Sequence, residues 1–454
     1  MLACALLALA SPAAARSPAA RSPAGTQVPA PPAPDPALLR GVDPTPRPLP
    51  GATRRLACVR ADGPERLLPG TPWAQQRLRF TDAWAGSRGA GETVAVIDTG
   101  VAPHPRLAGR LVDGGDFVGT GGGLGDCDGH GTLVAGIIAA APDPRTGFVG
   151  VAPEARVLAI RQSSATVTTA AGDPGGGDVG TLAAAVLRAV DLGARVVNIS
   201  EAACVPVADA PRVLGPLRAA VRRAVDADVV VVAAAGNAGT GACTGPAGDS
   251  DPDRAGGQVV APAWFADDVL SVGYTRRDGA AAPASLRGPW VSVAAPGAEI
   301  VTLSPTGGGL VDEVTAPGAT APTPVEGTSF AAPYVSGVVA LVRARYPRLT
   351  ARQVMARVVA TATHPPGGRD DGVGAGVVDP VAAVTDVRPD ERPTGSGHRG
   401  AGMTDTAPGR VDLRSSGHAH SGARTVAWIG SAGAVALGGA VAGALASRRS
   451  RRSR

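Results

Sequence analysis

The chain has 454 residues, of which 44% are hydrophobic and only 3% are aromatic, so it can bury a large core built mainly from Val, Ala and Leu. An α/β enzyme core of about 300 residues fits this length as one domain with appended segments. All 43 basic residues are Arg, and the five Arg of 448–454 equal the net charge of +5. The rest of the chain is near neutral, which argues against nucleic acid as a partner.

The first 72 residues predict two segments that precede the folded domain. Residues 1–16 combine an apolar stretch with the small residues 13–15, which is typical of a secretory signal peptide and its cleavage site. No basic residue precedes the apolar stretch, so either translation starts upstream or the signal is a weak one. Residues 17–72 form a Pro- and Ala-rich N-terminal extension without apolar periodicity, and we expect an extended or disordered linker there.

The central part of the chain alternates between short apolar runs and longer helical patterns. This alternation predicts an α/β fold, a three-layer sandwich with a mostly parallel sheet, because runs such as Val229–Val232 suit strands covered on both faces. The predicted strands are 93–98, 156–160, 196–200, 229–234 and 269–272, and the predicted helices are 133–140, 181–192, 212–227 and 329–345. The Gly-rich stretches 119–125 and 175–177 lack phosphate-loop spacing and are interpreted as loops.

Two polar residues follow apolar segments in positions suited to catalysis. Asp98 ends the first predicted strand and precedes a glycine turn, which places it at the sheet edge where α/β proteins bind ligands. His130 lies between two glycines at the start of a predicted helix, whereas the other five His of the chain lie in loops or in a polar tail. A lone His is more often structural, but this position exposes the imidazole for proton transfer.

Ser329 is the candidate nucleophile. It follows Gly327 at the start of a long apolar helix, so the free N–H groups and positive dipole end of that helix lie beside its hydroxyl. A serine at this place also serves as a helix N-cap, which is the structural alternative for an isolated Gly-Thr-Ser. The alternative loses weight because a serine nucleophile needs a base and an orienting acid, and His130 and Asp98 supply both.

With Asp98, His130 and Ser329 in this order, the chain resembles the subtilisin-like serine proteases (subtilases). The resemblance implies a peptidase domain at 73–385, with Asn237 donating a hydrogen bond to the oxyanion. Within the family the chain is most similar to the mycosins, membrane-anchored subtilases associated with type VII secretion. The segments that carry this likeness are 95–105, 198–204, 327–337 and 374–379. The resemblance to the mycosins also implies an N-terminal extension that wraps the protease domain.

The resemblance further implies which residues contact the substrate. The backbone edge that would pair with the substrate as an added β-strand is formed by Ser200, Glu201, Ala202 and Ala203, and Ala235 and Gly236 are further substrate-binding residues. Subtilisins commonly have Leu-Gly-Gly after the serine, whereas this chain has Glu201, Ala202 and Ala203. We therefore expect a narrower and more polar cleft that disfavours bulky aromatic side chains and favours a basic residue opposite Glu201. The chemistry requires no cofactor and no metal.

Four cysteines remain after the signal segment, and four thiols allow three pairings. An even number of cysteines in an exported protein favours disulfides. The sequence has no Cys-x-x-Cys pair, so it gives no sign of a cysteine metal site. Similarity to mycosins implies that Cys58 pairs with Cys127 and Cys204 with Cys243. The first bridge would fix the extension three residues before His130.

The C-terminal part predicts a membrane anchor. Residues 386–424 are polar and rich in Gly, Pro and Thr, as in a flexible linker, and residues 425–446 predict a transmembrane helix. The charge-free stretch 426–446 is about 31 Å long as a helix, against an apolar bilayer core of about 30 Å. The Arg-rich tail 447–454 predicts a cytoplasmic end, so a single-pass protein of the cell membrane has its peptidase domain outside the cytoplasm.

These observations predict an exported, membrane-anchored serine endopeptidase. Its substrates would be peptides or secreted proteins, cleaved in association with a membrane-embedded secretion complex. The alternative is a structural subunit that stabilises that complex, with peptidase activity secondary. An abandoned active site would be free to lose a catalytic residue, and this sequence retains all of them.

Overall fold

The computed structural model describes residues 29–61, 66–169, 174–240, 243, 257–388 and 391. The predicted signal peptide at 1–16, the predicted transmembrane helix at 425–446 and the basic tail at 447–454 lie outside these residues, as does most of the linker at 386–424. Within the described part of the chain, no helix has both the length and the hydropathy needed to cross a bilayer.

A seven-stranded, fully parallel sheet forms the centre of the fold, in the order β12-β11-β9-β7-β2-β4-β3. Chain order reverses direction beside β2, so β2 and β7 flank the point where α/β sheets place their ligands. The strands of this sheet are β2 Thr93–Asp98, β3 Leu111–Asp116, β4 Arg156–Arg161, β7 Val196–Ile199, β9 Val230–Ala234, β11 Leu270–Thr275 and β12 Val293–Pro296.

Helices cover both faces of the sheet and make the three layers. Alternate residues of a strand point to opposite faces, so in β2 Val94 and Val96 join one hydrophobic core, whereas Ala95 and Ile97 join the other. The first core packs under α2 and α5, and the second under α3 and α4. The helices are α1 Trp73–Leu78, α2 His130–Ala139, α3 Val179–Asp191, α4 Ala210–Asp226, α5 Thr328–Arg345, α6 Ala351–Ala360 and α7 Pro380–Thr385.

Short antiparallel strands surround the sheet. The group β1-β5-β6 and the hairpin of β15 with β16 both contribute to the cleft described below. The short strands are β1 Thr53–Arg54, β5 Ser164–Thr168, β6 Pro174–Gly176, β8 Ala203–Pro206, β10 Gln258–Ala261, β13 Thr302–Leu303, β14 Leu310–Val311, β15 Glu313–Val314 and β16 Thr323–Pro324.

The α/β fold class and the parallel sheet predicted from the sequence are confirmed, and all five predicted strands are present with ends shifted by at most three residues. The helices predicted at 133–140 and 329–345 begin earlier, at His130 and Thr328. The interpretation of 175–177 as a loop is wrong in part, because Gly175 and Gly176 belong to β6. Glycine has low β propensity, so only the pairing with β5 makes this segment a strand.

The extended or disordered linker expected from composition is wrong for the described residues from 29 onward, and their packing fits the wrapping extension that the resemblance implies. Asp35 caps a 3₁₀ helix at Pro36–Gly41, and Leu39 and Val42 from this segment pack against the second core. Farther along, the backbone N–H of Leu49 donates to the carbonyl of Val118 over 3.1 Å. A few isolated apolar side chains anchor this extension, and they form no periodic pattern that a sequence would show.

Candidate active site

Asp98 and His130 meet at the carboxyl edge of the sheet. Asp98 ends β2 and is fully buried, and His130 is the first residue of α2. The Nδ1 atom of His130 lies 2.7 Å from Oδ1 of Asp98. Gly129 precedes the histidine at φ 81°, in the left-handed region that glycine adopts without strain. The turn at Gly129 therefore brings the imidazole onto the carboxylate.

Ser329 is the second residue of α5 and lies beside the same edge. Gly327 precedes it at φ 137°, and the backbone carbonyl of Ser329 accepts a hydrogen bond from Oγ of Ser200 over 2.8 Å. The ring of the next residue, Phe330, lies 5.2 Å from the ring of His130 between centroids. Within the described residues no hydrogen bond joins the Ser329 hydroxyl to His130. Catalytic hydrogen bonds are often long in the absence of substrate and tighten when substrate binds.

Asn237 follows β9 and is bound to the start of α5. Its Oδ1 accepts hydrogen bonds from N–H of Thr328 over 3.0 Å and from Oγ1 of Thr328 over 3.1 Å. These bonds orient the amide so that its NH₂ group faces Gly327, where an added Cβ would lie 3.1 Å from Nδ2. The amide donor is thus held next to the turn that carries Ser329.

The residues predicted to line the substrate edges lie together. Ser200 directly follows β7, and Ala235 directly follows β9, the neighbouring strand. Gly236 has φ 99°, and a Cβ there would lie 3.6 Å from the Cβ of Ala202. The two backbone segments therefore lie side by side, and a side chain at Gly236 would narrow the space between them.

The carboxylates around His130 raise its pKa. Burial alone would lower the pKa, but the charge and hydrogen bond of Asp98, together with the charges of Glu201 and Asp126, raise it from 6.5 to about 9. The imidazolium that forms when histidine takes a proton is therefore stabilised at this site.

Asp126 is part of the site and was missed in the sequence. Its Oδ1 accepts from Oγ1 of Thr99 over 2.8 Å, and its Oδ2 accepts from N–H and Oγ1 of Thr132. Thr99 also donates its backbone N–H to Asp98 over 2.8 Å. Burial raises the pKa of Asp126 to about 6, against the effect of these hydrogen bonds. Asp126 thereby connects the strand end that holds Asp98 to the helix start that holds His130.

Asp128 is a second missed carboxylate, and its role is to hold the wall of the cleft. It is buried, and it accepts hydrogen bonds from Oγ of Ser164 over 2.5 Å and from N–H of Ala165 over 2.7 Å. The only sequence signal for either carboxylate was its position, four and two residues before His130.

A cavity of about 560 Å³ opens beside His130 and is lined by Ser200, Glu201, Ala202 and Phe330 together with residues of β5 and of the β15–β16 hairpin. A second cavity of about 350 Å³ adjoins it and shares Ser163, Glu201 and Ala202. Both volumes lie within the range of about 300–1,000 Å³ that is usual for ligand-binding pockets. We call the combined space of the two cavities the cleft.

Both cysteine pairs implied by the resemblance are present as disulfides, Cys58–Cys127 and Cys204–Cys243. The first attaches the extension three residues before His130, and N–H of Val59 donates to the carbonyl of Cys127 over 2.8 Å. Arg60 then exchanges two backbone hydrogen bonds with Thr315, next to the β15–β16 hairpin. The extension therefore supports two walls of the cleft. The described part of the chain contains no group of three or more His, Cys, Asp or Glu placed to hold a metal ion.

Comparisons with known proteins agree with this geometry. Residues 89–376 match the model of the subtilase family, Peptidase S8. Mycosin-4 of Mycobacterium tuberculosis is 51% identical over 317 residues, which cover 68% of each chain, and Mycosin-1 of the same organism is 48% identical, over 70% of this chain and 75% of that protein.

Solved structures show the same likeness. The MycP3 protease from the type VII (ESX-3) secretion system is 43% identical, with a TM-score of 0.69 over 78% of this chain and 99% of that one. A chain of the periplasmic assembly from the ESX-5 inner membrane complex is 40% identical, with a TM-score of 0.69 over 84% of this chain and 100% of that one.

Proposed function

Since this chain belongs to the subtilase family and is a mycosin-type serine endopeptidase, we propose that Ser329 is its nucleophile, that His130 is its general base and acid, and that Asp98 orients His130. The observation that carries these roles is the 2.7 Å contact between Asp98 and His130 at the sheet edge where α5 begins. Each role follows from the position of the side chain.

The first half of the reaction forms an acyl-enzyme. The Nδ1–H of His130 donates to Asp98, which leaves Nε2 free to take the proton of the Ser329 hydroxyl as Oγ bonds to the peptide carbonyl carbon. The carbonyl π electrons move to oxygen, and the oxyanion accepts hydrogen bonds from the Asn237 amide and from the backbone N–H of Ser329 at the start of α5. Collapse of this intermediate breaks the C–N bond, and the leaving amine takes the proton from His130.

The second half releases the acid and restores the hydroxyl. Water gives a proton to His130 as its oxygen bonds to the acyl carbon, and a second oxyanion forms in the same place. When it collapses, the bond to Ser329 breaks and Oγ takes the proton back. Every proton removed is returned, so Ser329 and His130 end the cycle in the state in which they began it.

The substrate is proposed to bind as an extended strand. Ser200, Glu201 and Ala202, which line the cleft where β7 ends, form the edge that pairs with the peptide, and Ala235 and Gly236 lie beside this edge where β9 ends. Strand addition positions the scissile carbonyl through the backbone of the peptide and does not depend on the peptide's side chains. This mode of binding suits a protein or peptide substrate.

We propose that the substrates are secreted proteins and that the enzyme acts next to a membrane-embedded secretion complex. This proposal is supported by the assemblies in which related chains are found. They include chains of the ESX-5 inner membrane complex that are 40% and 39% identical to this one. Export by the segment 1–16 and anchoring by a single helix at 425–446 would place residues 73–385 outside the cytoplasm, with the linker 386–424 between domain and membrane.

A fluorophosphonate that phosphorylates activated serines tests the catalytic assignment. The purified full-length chain should be labelled on Ser329, and both Ser329→Ala and His130→Ala should abolish labelling. Ser87→Ala is a matched control, because Ser87 precedes β2 and its hydroxyl accepts the N–H of Gly89, away from the cleft. Labelling that persists in Ser329→Ala would overturn the assignment.

A second function is favoured by the same complexes. Relatives that occupy the ESX-5 inner membrane complex cover 84% of this chain. We infer that the peptidase domain also acts as a structural subunit that stabilises such a complex, through its surface rather than through its hydroxyl nucleophile. A nucleophile variant that keeps the surface intact separates the two functions, since it removes the chemistry alone.

A further inference from the structure

Glu201 occupies the junction of the two cavities of the cleft. It follows Ser200 at the end of β7, and it lines both the cavity of about 560 Å³ beside His130 and the cavity of about 350 Å³ that adjoins it. A side chain at this junction faces bound peptide from either cavity. Its chemistry therefore bears directly on which peptides fit.

The carboxylate of Glu201 is held in place by a neutral donor. Oγ of Ser163 donates a hydrogen bond to Oε1. Among the described residues no Arg forms an ion pair with Glu201, whereas the buried Asp116 and Asp268 each pair with an Arg. The charged groups that face Glu201 are Asp98, Asp128 and His130.

Burial raises the pKa of Glu201 to about 7, and the charges of Asp98 and Asp128 add to this effect, against the hydrogen bond from Ser163 and the charge of His130. A carboxylate in such surroundings is costly to ionise, and an added cation lowers that cost. The site is thus electrostatically prepared for a positive charge from outside the chain.

The other acidic residues of the cleft also accept hydrogen bonds from neutral donors, and each of them lines only one of the two cavities. Asp128 binds Ser164 and Ala165, Asp178 caps α3 through N–H of Thr181, and Glu326 accepts from the hydroxyl of Tyr274 over 3.1 Å. Among the described residues no Arg lines either cavity, in a chain with 43 basic residues. The lining is therefore acidic, and Glu201 is the carboxylate at its centre.

We propose that Glu201 is a specificity-determining residue that binds a Lys or Arg side chain of the peptide substrate. The proposal rests on the proposed peptidase function and names the substrate class of that same site. A charge-assisted hydrogen bond from an ammonium or guanidinium group to the carboxylate would fix the peptide along the cleft, with the long aliphatic stem of the basic residue filling the cavity.

Matched peptides provide the kinetic test. In a set of otherwise identical peptides, one Lys is moved through the positions around the scissile bond, and each peptide is paired with its Nε-acetyl-lysine counterpart, which has a similar stem but no charge. At one position, kcat/KM of the full-length enzyme should be higher for the Lys peptide than for its Nε-acetyl-lysine counterpart by about tenfold or more. Glu201→Gln keeps the size and an acceptor for Ser163, and it should reduce that ratio to near one, whereas Glu201→Asp should retain part of it.

Each variant is judged by the ratio of its kcat/KM values for the Lys peptide and the acetyl-lysine peptide. A general loss of activity lowers both values equally and cancels in this ratio. Glu326→Gln makes the same substitution at another carboxylate of the cleft, so it should keep the preference if Glu201 alone carries it. A preference for Lys that survives Glu201→Gln, or one that Glu326→Gln removes equally, would overturn the proposal.

Binding to an inactive variant separates this proposal from the peptidase function. The Kd values of the same peptide pairs for Ser329→Ala should show the Lys preference at the same position, and Ser329→Ala combined with Glu201→Gln should not. A Kd ratio near one at every position would refute the subsite even if Ser329 is the nucleophile. Undiminished cleavage by Ser329→Ala would refute the peptidase assignment, while the Kd ratio would still decide on Glu201.

Discussion

Oδ1 of Asp98 lies 2.7 Å from Nδ1 of His130, and the aspartate side chain is fully buried while the histidine side chain keeps 29% of its surface exposed. The acid is therefore shielded from solvent, and the imidazole can reach a substrate. The contact also selects the tautomer, because only Nδ1–H can donate to the carboxylate and Nε2 is then left as the base.

Asp98→Asn should keep the fold and lower kcat by a factor on the order of 10⁴, the loss that this change causes in a well-studied serine-protease triad, because the amide favours the wrong tautomer of His130. Asp126→Asn is the control, since Asp126 binds Thr99 and Thr132 but not the imidazole. Steady-state kinetics should show a much smaller loss for Asp126→Asn. Equal losses would mean that the network as a whole, and not the contact to His130, sets the rate.

Asn237→Ala should lower kcat by about 10²–10³-fold with little change in KM, because the amide donor acts on charge that develops only in the transition state. Asn237 also accepts two hydrogen bonds from Thr328, so loss of rate could arise from a displaced helix start. Asn237→Asp separates these causes, since it keeps the acceptor and loses the donor. Activity near wild type in Asn237→Asp would contradict the oxyanion role.

The pH dependence of kcat/KM should reflect the raised pKa of His130. Below this pKa the imidazole is protonated and cannot take the proton of Ser329, so activity rises with pH. The midpoint should lie well above 6.5 and near 9. At that pH Glu201 is ionised, since its pKa is about 7, so Glu201→Gln removes a negative charge and should move the midpoint down.

Glu326→Gln is the control for this profile, because the charge of Glu326 is not among those that raise the pKa of His130. It should leave the midpoint in place. A wild-type midpoint at or below 6.5, or one that Glu201→Gln does not move, would contradict the electrostatic description of the site.

Loss of the Cys58–Cys127 disulfide should release the N-terminal extension from the segment that precedes His130. This bridge spans 69 residues and Cys204–Cys243 spans 39, so each contributes about 4 kcal/mol on the loop-entropy model. Replacing either pair by Ser should therefore lower the free energy of denaturant unfolding by similar amounts. Only the Cys58 and Cys127 replacement should make residues 29–61 sensitive to added protease, and equal sensitivity in both variants would contradict this attachment.

The sheet and the positions of the proposed catalytic residues could be predicted because their signals are local. Val229–Val232 is a continuous apolar run, and Asp98, His130 and Ser329 each lie close to a glycine at the end of a strand or the start of a helix. Such features depend on chain neighbours alone, so a sequence displays them.

The contacts of Asp126 and Glu201 could not be predicted in the same way. Asp126 reaches Thr99 across 27 residues, and Ser163 reaches Glu201 across 38, so each contact exists only after the strands have paired. The β5–β6 pair and the packed extension depend likewise on tertiary contacts that override a weak local preference.

The Ser329→Ala variant separates peptidase activity from a structural role in a secretion complex. Ser329→Ala removes one oxygen atom beside a turn and leaves Asn237, Gly327 and the surface of the domain unchanged, so the fold and any surface contacts should persist. Cells with Ser329→Ala should therefore assemble the complex, as measured by co-purification of its membrane subunits, but should fail to process a secreted substrate. Deletion of the whole chain should stop both the assembly of the complex and the processing of the substrate.

Each outcome in cells assigns the secretion defect to one role. Tethering through 425–446 would raise the effective concentration near the complex whether the domain cleaves or only binds, so the anchor does not distinguish the two roles. Normal secretion after deletion of the whole chain would remove the structural role. Secretion lost in Ser329→Ala would leave peptidase activity as the sufficient explanation, because that variant keeps every surface contact of the domain.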